Sequence, residues 1–235
     1  MTRSLHARDP SRQSVNCRRE GSEVVLPPLA IVWRCPLSVE QYLERGRKIE
    51  VPRLRCPDCE GLLRFRSGYW RHVRSGGTGR PAWVRRAQCV GCRRSHAMLP
   101  SFLLHGRLDV VDRIGAIVEA VIDDGTVTGA AAKAADVPYT TARDWLRRLR
   151  ARAGMLAAGL VAVAVEVGAE ATVADLAVDA ARRVLGALRL VAQAVGSSPS
   201  PWALASLITG GKLLGTTTDP PWTLPGGRRV MPPVP

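Results

Sequence analysis

Four cysteines arranged in two pairs are the residues whose type and spacing could do chemistry in this chain. Cys56 and Cys59 form one pair, Cys89 and Cys92 form the other, and two residues separate the members of each pair. A two-residue spacer lets a tight turn direct both thiolates at one ion, and four thiolates satisfy the tetrahedral preference of Zn²⁺. The spacing therefore predicts one structural Zn²⁺ ion, because a site closed by four sulfurs leaves no open position for catalysis.

The same cysteines allow other interpretations. They could be reduced structural thiols or two disulfides, although in the reducing cytoplasm that we expect, paired cysteines more often bind metal. His96 could replace one cysteine as a ligand, but four cysteines already complete the set and favour a polar or capping role for it. Cys17 and Cys35 are expected to be free thiols outside the site.

The net charge makes a nucleic acid the first candidate for a partner. The chain of 235 residues carries 34 Lys and Arg against 20 Asp and Glu, a formal charge of +14. Basic side chains that neutralise phosphates release condensed counterions, so a polyanion is the expected partner. At 46% hydrophobic residues the chain can also bury a core, which excludes a wholly disordered protein.

Strand-like runs follow the first cysteine pair. LLRFR, GYWRHVR and AWVRRAQ are rich in aromatic and branched residues, and the glycines of SGGTGRP predict a hairpin loop between the last two runs. Together with the cysteine pairs, these runs predict a zinc ribbon. Trp70 and Trp83 would be aromatic platforms on a basic surface, or else core residues beside arginines that are merely solvated. The arginines expected to contact phosphates are Arg71, Arg74, Arg85 and Arg86.

Residues 110–152 have the pattern of three short helices. Val110 to Asp123 places its apolar residues on one face with Asp109 positioned to cap its start, and two more helical segments lie on either side of Pro138. This layout is that of a helix-turn-helix, although plain helical bundles also contain three short helices with a basic face. Side chains of the third helix would enter the major groove or hold phosphates. They are Tyr139, Thr140, Thr141, Arg143, Arg147 and Arg148.

Three further helices are predicted outside this region. Ser38 and Gln41 form a capping-box pattern at the start of a short helix that Gly46 closes. Thr172 would start a helix over 173–195, which could pair two chains as a homodimer or pack in the chain's own core, and both alternatives remain open. Pro201 stands at the first position of a last short helix.

These patterns predict the α+β class: a small N-terminal zinc ribbon of β-hairpins followed by a mainly α-helical helix-turn-helix region and C-terminal helices. The expected divisions are a mobile basic arm at 1–24, a short helix plus zinc ribbon at 25–108, a helix-turn-helix at 109–153, an Ala/Val-rich helical region at 154–215 and a Pro-rich tail at 216–235.

The cysteine pairs, SHAMLPSF and TTARDWLRR are the most specific parts of a wider resemblance. Over residues 30–153 the chain resembles a bacterial family of unknown function that joins a zinc ribbon to a transposase-like helix-turn-helix. The resemblance implies zinc on the four paired cysteines and DNA read by the helix from Tyr139 to Arg150, and it implies no known reaction. Glu60 departs from the pattern, since such knuckles often have glycine there, and Gly61 follows it.

These features favour a zinc-dependent, sequence-specific double-stranded DNA-binding protein. We expect no enzymatic activity, because the few carboxylates beyond the third helix lie in segments that read as helices rather than as the mixed sheet of a nuclease domain. The alternatives are the DNA-recognition part of a transposase or recombinase that needs a partner catalytic chain, and a zinc-ribbon RNA-binding or assembly protein. Without an apolar leader or a membrane-spanning stretch, we expect a cytoplasmic, nucleoid-associated protein.

Overall fold

The computed structural model describes residues 30–169, 176–196, 200–216, 219–224 and 228–230. The fold is α+β, as predicted, with a sheet in the N-terminal half and helices after it. The expected basic arm at 1–24, Cys17, Thr172 and parts of the Pro-rich tail lie outside the described residues. None of the helices found in the described ranges is long and apolar enough to cross a membrane.

Four strands form the sheet in the order β1-β4-β3-β2. They are β1 (Ala30–Trp33), β2 (Leu63–Arg74), β3 (Gly79–Cys89) and β4 (Ser95–Pro100). β1 runs parallel to β4, whereas β3 is antiparallel to both β2 and β4. The predicted hairpin of β2 and β3 is confirmed, and a bulge between Phe65 and Ser67 joins two predicted runs into one strand. The sequence patterns do not predict strands β1 and β4.

The short helix α1 (Val39–Arg45) forms as its capping residues predict. Ser38 accepts a hydrogen bond from the Gln41 amide while the Gln41 side chain accepts one from the Ser38 amide, and Gly46 ends the helix with a φ of 49°. Tyr42 packs into the core edge-on to Phe102 and donates a hydrogen bond of 2.7 Å to the Trp83 carbonyl oxygen. This contact attaches α1 to β3.

In the described part of the chain, six helices follow the sheet. They are α2 (Val111–Ile122), α3 (Thr128–Ala134), α4 (Tyr139–Ala151), α5 (Ala153–Glu166), α6 (Ala180–Val195) and α7 (Pro201–Ile208). α2, α3 and α4 pack on one another, as the three-helix pattern predicts. Val137 is buried in the α3–α4 turn, where Asp136 takes a left-handed φ of 51° and so lets the chain reverse before Pro138.

The helix predicted from 173 to 195 starts later than expected. It begins at Ala180, because Asp179 caps it by accepting a 2.9 Å hydrogen bond from the Arg182 amide, and residues 176–179 are not helical. Its apolar face is buried within the chain, mainly against α5. The described part of this segment therefore contributes to the chain's own core.

Asp109 does not cap α2, which corrects the prediction. Val110 is the N-cap residue and makes no side-chain capping bond, whereas the Asp109 carboxylate is buried between two arginines. It lies 2.6 Å from the Arg74 guanidinium on β2 and 3.3 Å from that of Arg113 on α2. A buried carboxylate needs such partners, because an unpaired charge in the interior is costly.

Arg113 extends this cluster to the tip of the hairpin and to the α3–α4 turn. Its buried guanidinium donates to the carbonyl oxygens of Gly76, Ala135 and Asp136. Gly77 permits the close approach, since a Cβ atom there would lie 2.7 Å from an Asp136 carboxylate oxygen. The sheet and the three helices are therefore joined through one arginine. The name docking cluster is used below for Arg74, Asp109 and Arg113.

Asp109→Asn should destabilise the metal-loaded protein by about 3 kcal/mol, because it leaves buried arginines without their shared counter-charge. Urea unfolding followed by circular dichroism measures the change in the free energy of unfolding. Asp124→Asn, on an exposed carboxylate just after α2, is the matched control and should change it by less than about 0.5 kcal/mol. Equal stability of the two variants would contradict the structural role of Asp109.

Candidate metal centre and neighbouring basic surfaces

The four paired cysteines converge at one point. The Sγ atoms of Cys56 and Cys92 are 3.6 Å apart, those of Cys59 and Cys89 are 3.4 Å apart, and all four lie within 4.8 Å of one another. Four sulfurs around a tetrahedral Zn²⁺ at roughly 2.3 Å would be separated by about 3.8 Å, whereas a disulfide joins sulfurs at about 2.05 Å. The cysteines are free, and together they could coordinate one metal ion.

Two similar turns bring the sulfurs together. The residue that follows each pair has a left-handed φ, 57° at Glu60 and 63° at Arg93. In the first turn the Glu60 amide donates to the Cys56 carbonyl oxygen at 2.8 Å. Glycine is required one position later, since a Cβ atom on Gly61 would lie 3.0 Å from the Cys89 sulfur. The departure at Glu60 thus leaves the turn intact, because Glu60 itself adopts the conformation usually given to glycine.

The local backbone makes the four thiols unequal. A hydrogen bond from the Gly61 backbone, followed by one from Cys89, lowers the pKa of Cys59 to about 7. Burial instead raises the pKa of Cys56, and raises that of Cys92 to about 12. A metal cation must therefore displace protons from buried thiols, so its affinity for this cluster should fall as the pH falls.

His96 lies beside the cluster. Its ring is buried, and the Nε2 atom is 3.5 Å from the Cys56 sulfur. Asp58, His96 and Cys56 could form an alternative ligand group, but Asp58 is also paired with Arg94 at 3.2 Å. The four sulfurs make a complete ligand set without His96, which is placed to hydrogen-bond one of them. Cys35 is buried outside the cluster, where its amide donates to the Ser101 hydroxyl.

The arginines and tryptophans of the hairpin lie on two faces of the sheet, because side chains alternate along a strand. On one face Trp70 stands opposite Trp83 with ring centres 5.1 Å apart, and the Arg47 guanidinium is 4.8 Å from the Trp83 ring centre. On the other face Arg86 lies 5.6 Å from the ring centre of Tyr69. The single basic surface expected from the sequence is thus divided.

The arginines predicted to contact phosphates differ in the contacts that they already make within the chain. Arg74 belongs to the docking cluster, and Arg71 donates to the Leu104 carbonyl oxygen at 3.0 Å. Arg85 approaches the Arg47 carbonyl oxygen at 3.5 Å, while Arg86 is exposed. Arg47 is not among the phosphate-contacting residues predicted from the sequence. Arg47 reaches Trp70 and Trp83 only through the folding of distant parts of the chain.

Helix α4 separates an inward from an outward face, as predicted. Its buried side chains are Ala142, Trp145, Leu146 and Leu149. Tyr139, Thr140, Arg143 and Arg147 are exposed, and Thr141 and Arg148 are half-buried. The Arg143 guanidinium lies 5.7 Å from the ring centre of Tyr139. Within the described residues, no carboxylate lies within ion-pair distance of Arg143.

The one acidic side chain on this helix is neutralised by arginines. Asp144 accepts hydrogen bonds of 2.6 Å from Arg148 and from Arg147, and Arg107 lies 3.6 Å away. The hydrogen bonds from Arg148 and then Arg147 lower the pKa of Asp144, so the carboxylate stays ionised and paired. The outward face of α4 is therefore positively charged despite Asp144.

Purified protein should contain one tightly bound metal ion per chain, and Cys56→Ser should lose it because one of four sulfur ligands is removed. Native mass spectrometry gives the stoichiometry, and elemental analysis identifies the metal. Cys35→Ser changes a buried cysteine outside the cluster and should keep the ion. Full occupancy in the Cys56→Ser protein would contradict this assignment of the ligands.

Comparison with known families finds a match over part of the chain. A family described as a domain of unknown function (DUF6431) matches residues 56–145, from the first cysteine of the cluster to Trp145 in α4. No curated protein and no solved structure matches the chain. The stretch similar to this family thus contains the four cysteines, the β2–β3 hairpin, α2, α3 and the first half of α4.

Proposed function

We propose that the protein is a zinc-dependent, sequence-specific double-stranded DNA-binding protein without its own catalytic domain. The observation that carries the proposal is the exposed N-terminal half of α4. It presents Tyr139, Thr140 and Arg143 to solvent on a helix whose opposite face is anchored by Trp145. An exposed helix of this kind, supported from behind by two others, fits the major groove of B-form DNA.

The α3–α4 turn supports a helix-turn-helix interpretation of the three helices. Val137 anchors the turn in the core, while Asp136 provides the left-handed residue that such a short connection needs. The docking cluster holds this turn through Arg113. Recognition then begins at the first turn of α4, which is the part of a recognition helix that reaches base edges.

Individual roles follow from side-chain chemistry. Arg143 can donate two hydrogen bonds to the N7 and O6 atoms of guanine, and its stacking against Tyr139 orients it for this. Thr140 and Thr141 can contact a base or a thymine methyl group. Arg147 and Arg148 are suited to phosphates, because binding a phosphate needs charge rather than an exact position.

The sheet contributes to the proposed DNA binding in two ways, by holding the metal ion and by offering arginines to phosphates. Four thiolates favour Zn²⁺ as the structural ion of a zinc ribbon, with β2 and β3 as its hairpin. Arg85 and Arg86 can add phosphate contacts, whereas the ion pair of Arg74 and the backbone bond of Arg71 favour positioning roles for those two residues. Such contacts would increase affinity without selecting a sequence.

Among the residues beyond α4 that the structure describes, the carboxylates favour a binding role over phosphoryl chemistry. Glu166 is paired with Arg228, Asp179 caps α6, and Asp219 lies 3.9 Å from Arg152. Glu166 and Asp179 are engaged separately within the fold and Asp219 is exposed, whereas a two-metal nuclease site needs carboxylates that converge. A partner chain that supplies catalysis would make this protein the recognition part of a transposase or recombinase.

One observation favours a second candidate, single-stranded RNA binding. Trp70 is about half exposed, and Trp83 and Arg47 lie against it. An aromatic pair with an arginine resembles the surfaces on which unpaired bases stack. This cluster is on the sheet rather than on α4, so variants can distinguish the two candidates.

The test is selection of sites from a random double-stranded DNA library by the metal-loaded protein. We expect an enriched motif, and Arg143→Ala should weaken binding to it by about 1–3 kcal/mol, roughly 5- to 150-fold, because a bidentate contact with guanine is lost. Arg45→Ala, which removes an exposed arginine from α1, is the control and should leave the affinity nearly unchanged.

The remaining outcomes decide between the candidates. Salt-sensitive binding without any motif would contradict sequence-specific recognition. Preference for single-stranded RNA, abolished by Trp70→Ala and unaffected by Arg143→Ala, would favour the second candidate. Metal-dependent nicking of the selected DNA by the protein alone would refute the absence of a catalytic function.

A further inference from the structure

An open cleft of about 430 Å³ lies on the face of the sheet opposite Trp70 and Trp83. β2, β3, β4 and the loop that leads into α2 supply its walls. The volume is within the range of sites that bind small molecules, roughly 300–1,000 Å³. The four paired cysteines and the exposed side chains of α4 do not line it.

Three nitrogen-bearing side chains line this cleft. They belong to Arg71, Arg86 and His105, and among the described residues no lining side chain carries a carboxylate. Arg71 is held in place by its 3.0 Å hydrogen bond to the Leu104 carbonyl oxygen, which leaves other guanidinium donors for a ligand. The backbone of His105 is held by its amide, which donates to the Gly211 carbonyl oxygen at 2.9 Å, and its side chain is exposed.

Burial and nearby positive charges act on the titratable side chains of the cleft. Burial, followed by the charges of Arg71, Lys212 and Arg107, lowers the pKa of His105, and burial also lowers the pKa of Arg71. For His105, partial desolvation and the neighbouring positive charges both disfavour the charged imidazolium. An anion that binds beside Arg71, Arg86 and His105 would offset the positive charge there and accept their hydrogen bonds.

The rest of the cleft is apolar. Leu99 lies in its wall, Leu108 is 47% exposed at its edge, and the Tyr69 ring is 37% exposed beside Arg86. A bare phosphate would engage the cationic side chains and leave this apolar surface uncovered. A ligand with a planar or apolar body next to its anionic group would cover both parts of the cleft.

We propose that this cleft binds a small phosphate monoester with a planar body, which is the chemistry of a mononucleotide. Arg71, Arg86 and His105 hold the phosphate, and Tyr69, Leu99 and Leu108 contact the planar group. This site is additional to the DNA-binding function proposed above and does not depend on it. A phosphate of a nucleic acid strand has the same anionic chemistry, so the experiment must separate the two sources.

Isothermal titration calorimetry of the full metal-loaded chain tests the site. The probes are adenosine and guanosine 5′-monophosphates, the matching nucleosides, and inorganic phosphate. We expect at least one monophosphate to bind at one site per chain, at least tenfold more tightly than its nucleoside and than phosphate. Arg86→Ala should weaken this binding at least tenfold, and it should leave the fold intact because Arg86 is exposed.

Arg64→Ala is the matched control, since Arg64 is an exposed arginine on β2 that does not line the cleft. It should bind the monophosphate as the unchanged protein does. Absence of binding by both monophosphates would overturn the proposal, as would equal binding by inorganic phosphate or equal losses in the two variants. Displacement of the monophosphate by duplex DNA would also overturn it, by assigning the cleft to a nucleic acid phosphate.

Discussion

The buried ion cluster of Asp109 with Arg74 and Arg113 is the interaction on which the arrangement of the chain depends. One carboxylate holds an arginine from the sheet and an arginine from α2, and Arg113 then binds the backbone of both the hairpin tip and the α3–α4 turn. The cysteine cluster lies at the other end of the same hairpin, about 33 Å away at roughly 3.3 Å per residue along β3. The hairpin is thus fixed at both ends, by the cysteine turns at one and by the helices at the other.

This arrangement explains why a strongly basic chain can keep particular arginines available. Arg74 and Arg113 are committed to Asp109, and Arg107 donates to the Leu214 carbonyl oxygen. Arg143 stacks on Tyr139 without an acidic partner among the described residues, and Arg47 stacks on the pair of Trp70 and Trp83, of which Trp70 is about half exposed. Net charge alone therefore says little about binding. The distribution of acidic partners distinguishes structural arginines from those that can meet a phosphate or a base.

Local patterns predicted the features that local interactions determine. The cysteine spacing identified the four sulfurs, the capping box identified α1, and apolar periodicity identified α2 and the inward face of α4. Asp109 was assigned to a cap because it precedes a helix, but its partner Arg74 is 35 residues away in sequence. β1 and β4 form a parallel pair between distant segments, and the faces of the hairpin depend on strand register. No short window of sequence contains these relationships.

The central claim is that the docking cluster holds the three helices so that the first turns of α4 contact duplex DNA. Hydrogen–deuterium exchange of the metal-loaded protein, with and without duplex DNA, tests this claim most directly. The account predicts slower exchange in the α3–α4 turn and the first turns of α4, because the first amides of a helix have no partner within the helix and exchange readily until a ligand covers them. Protection confined to the β2–β3 hairpin, or no protection at all, would contradict it.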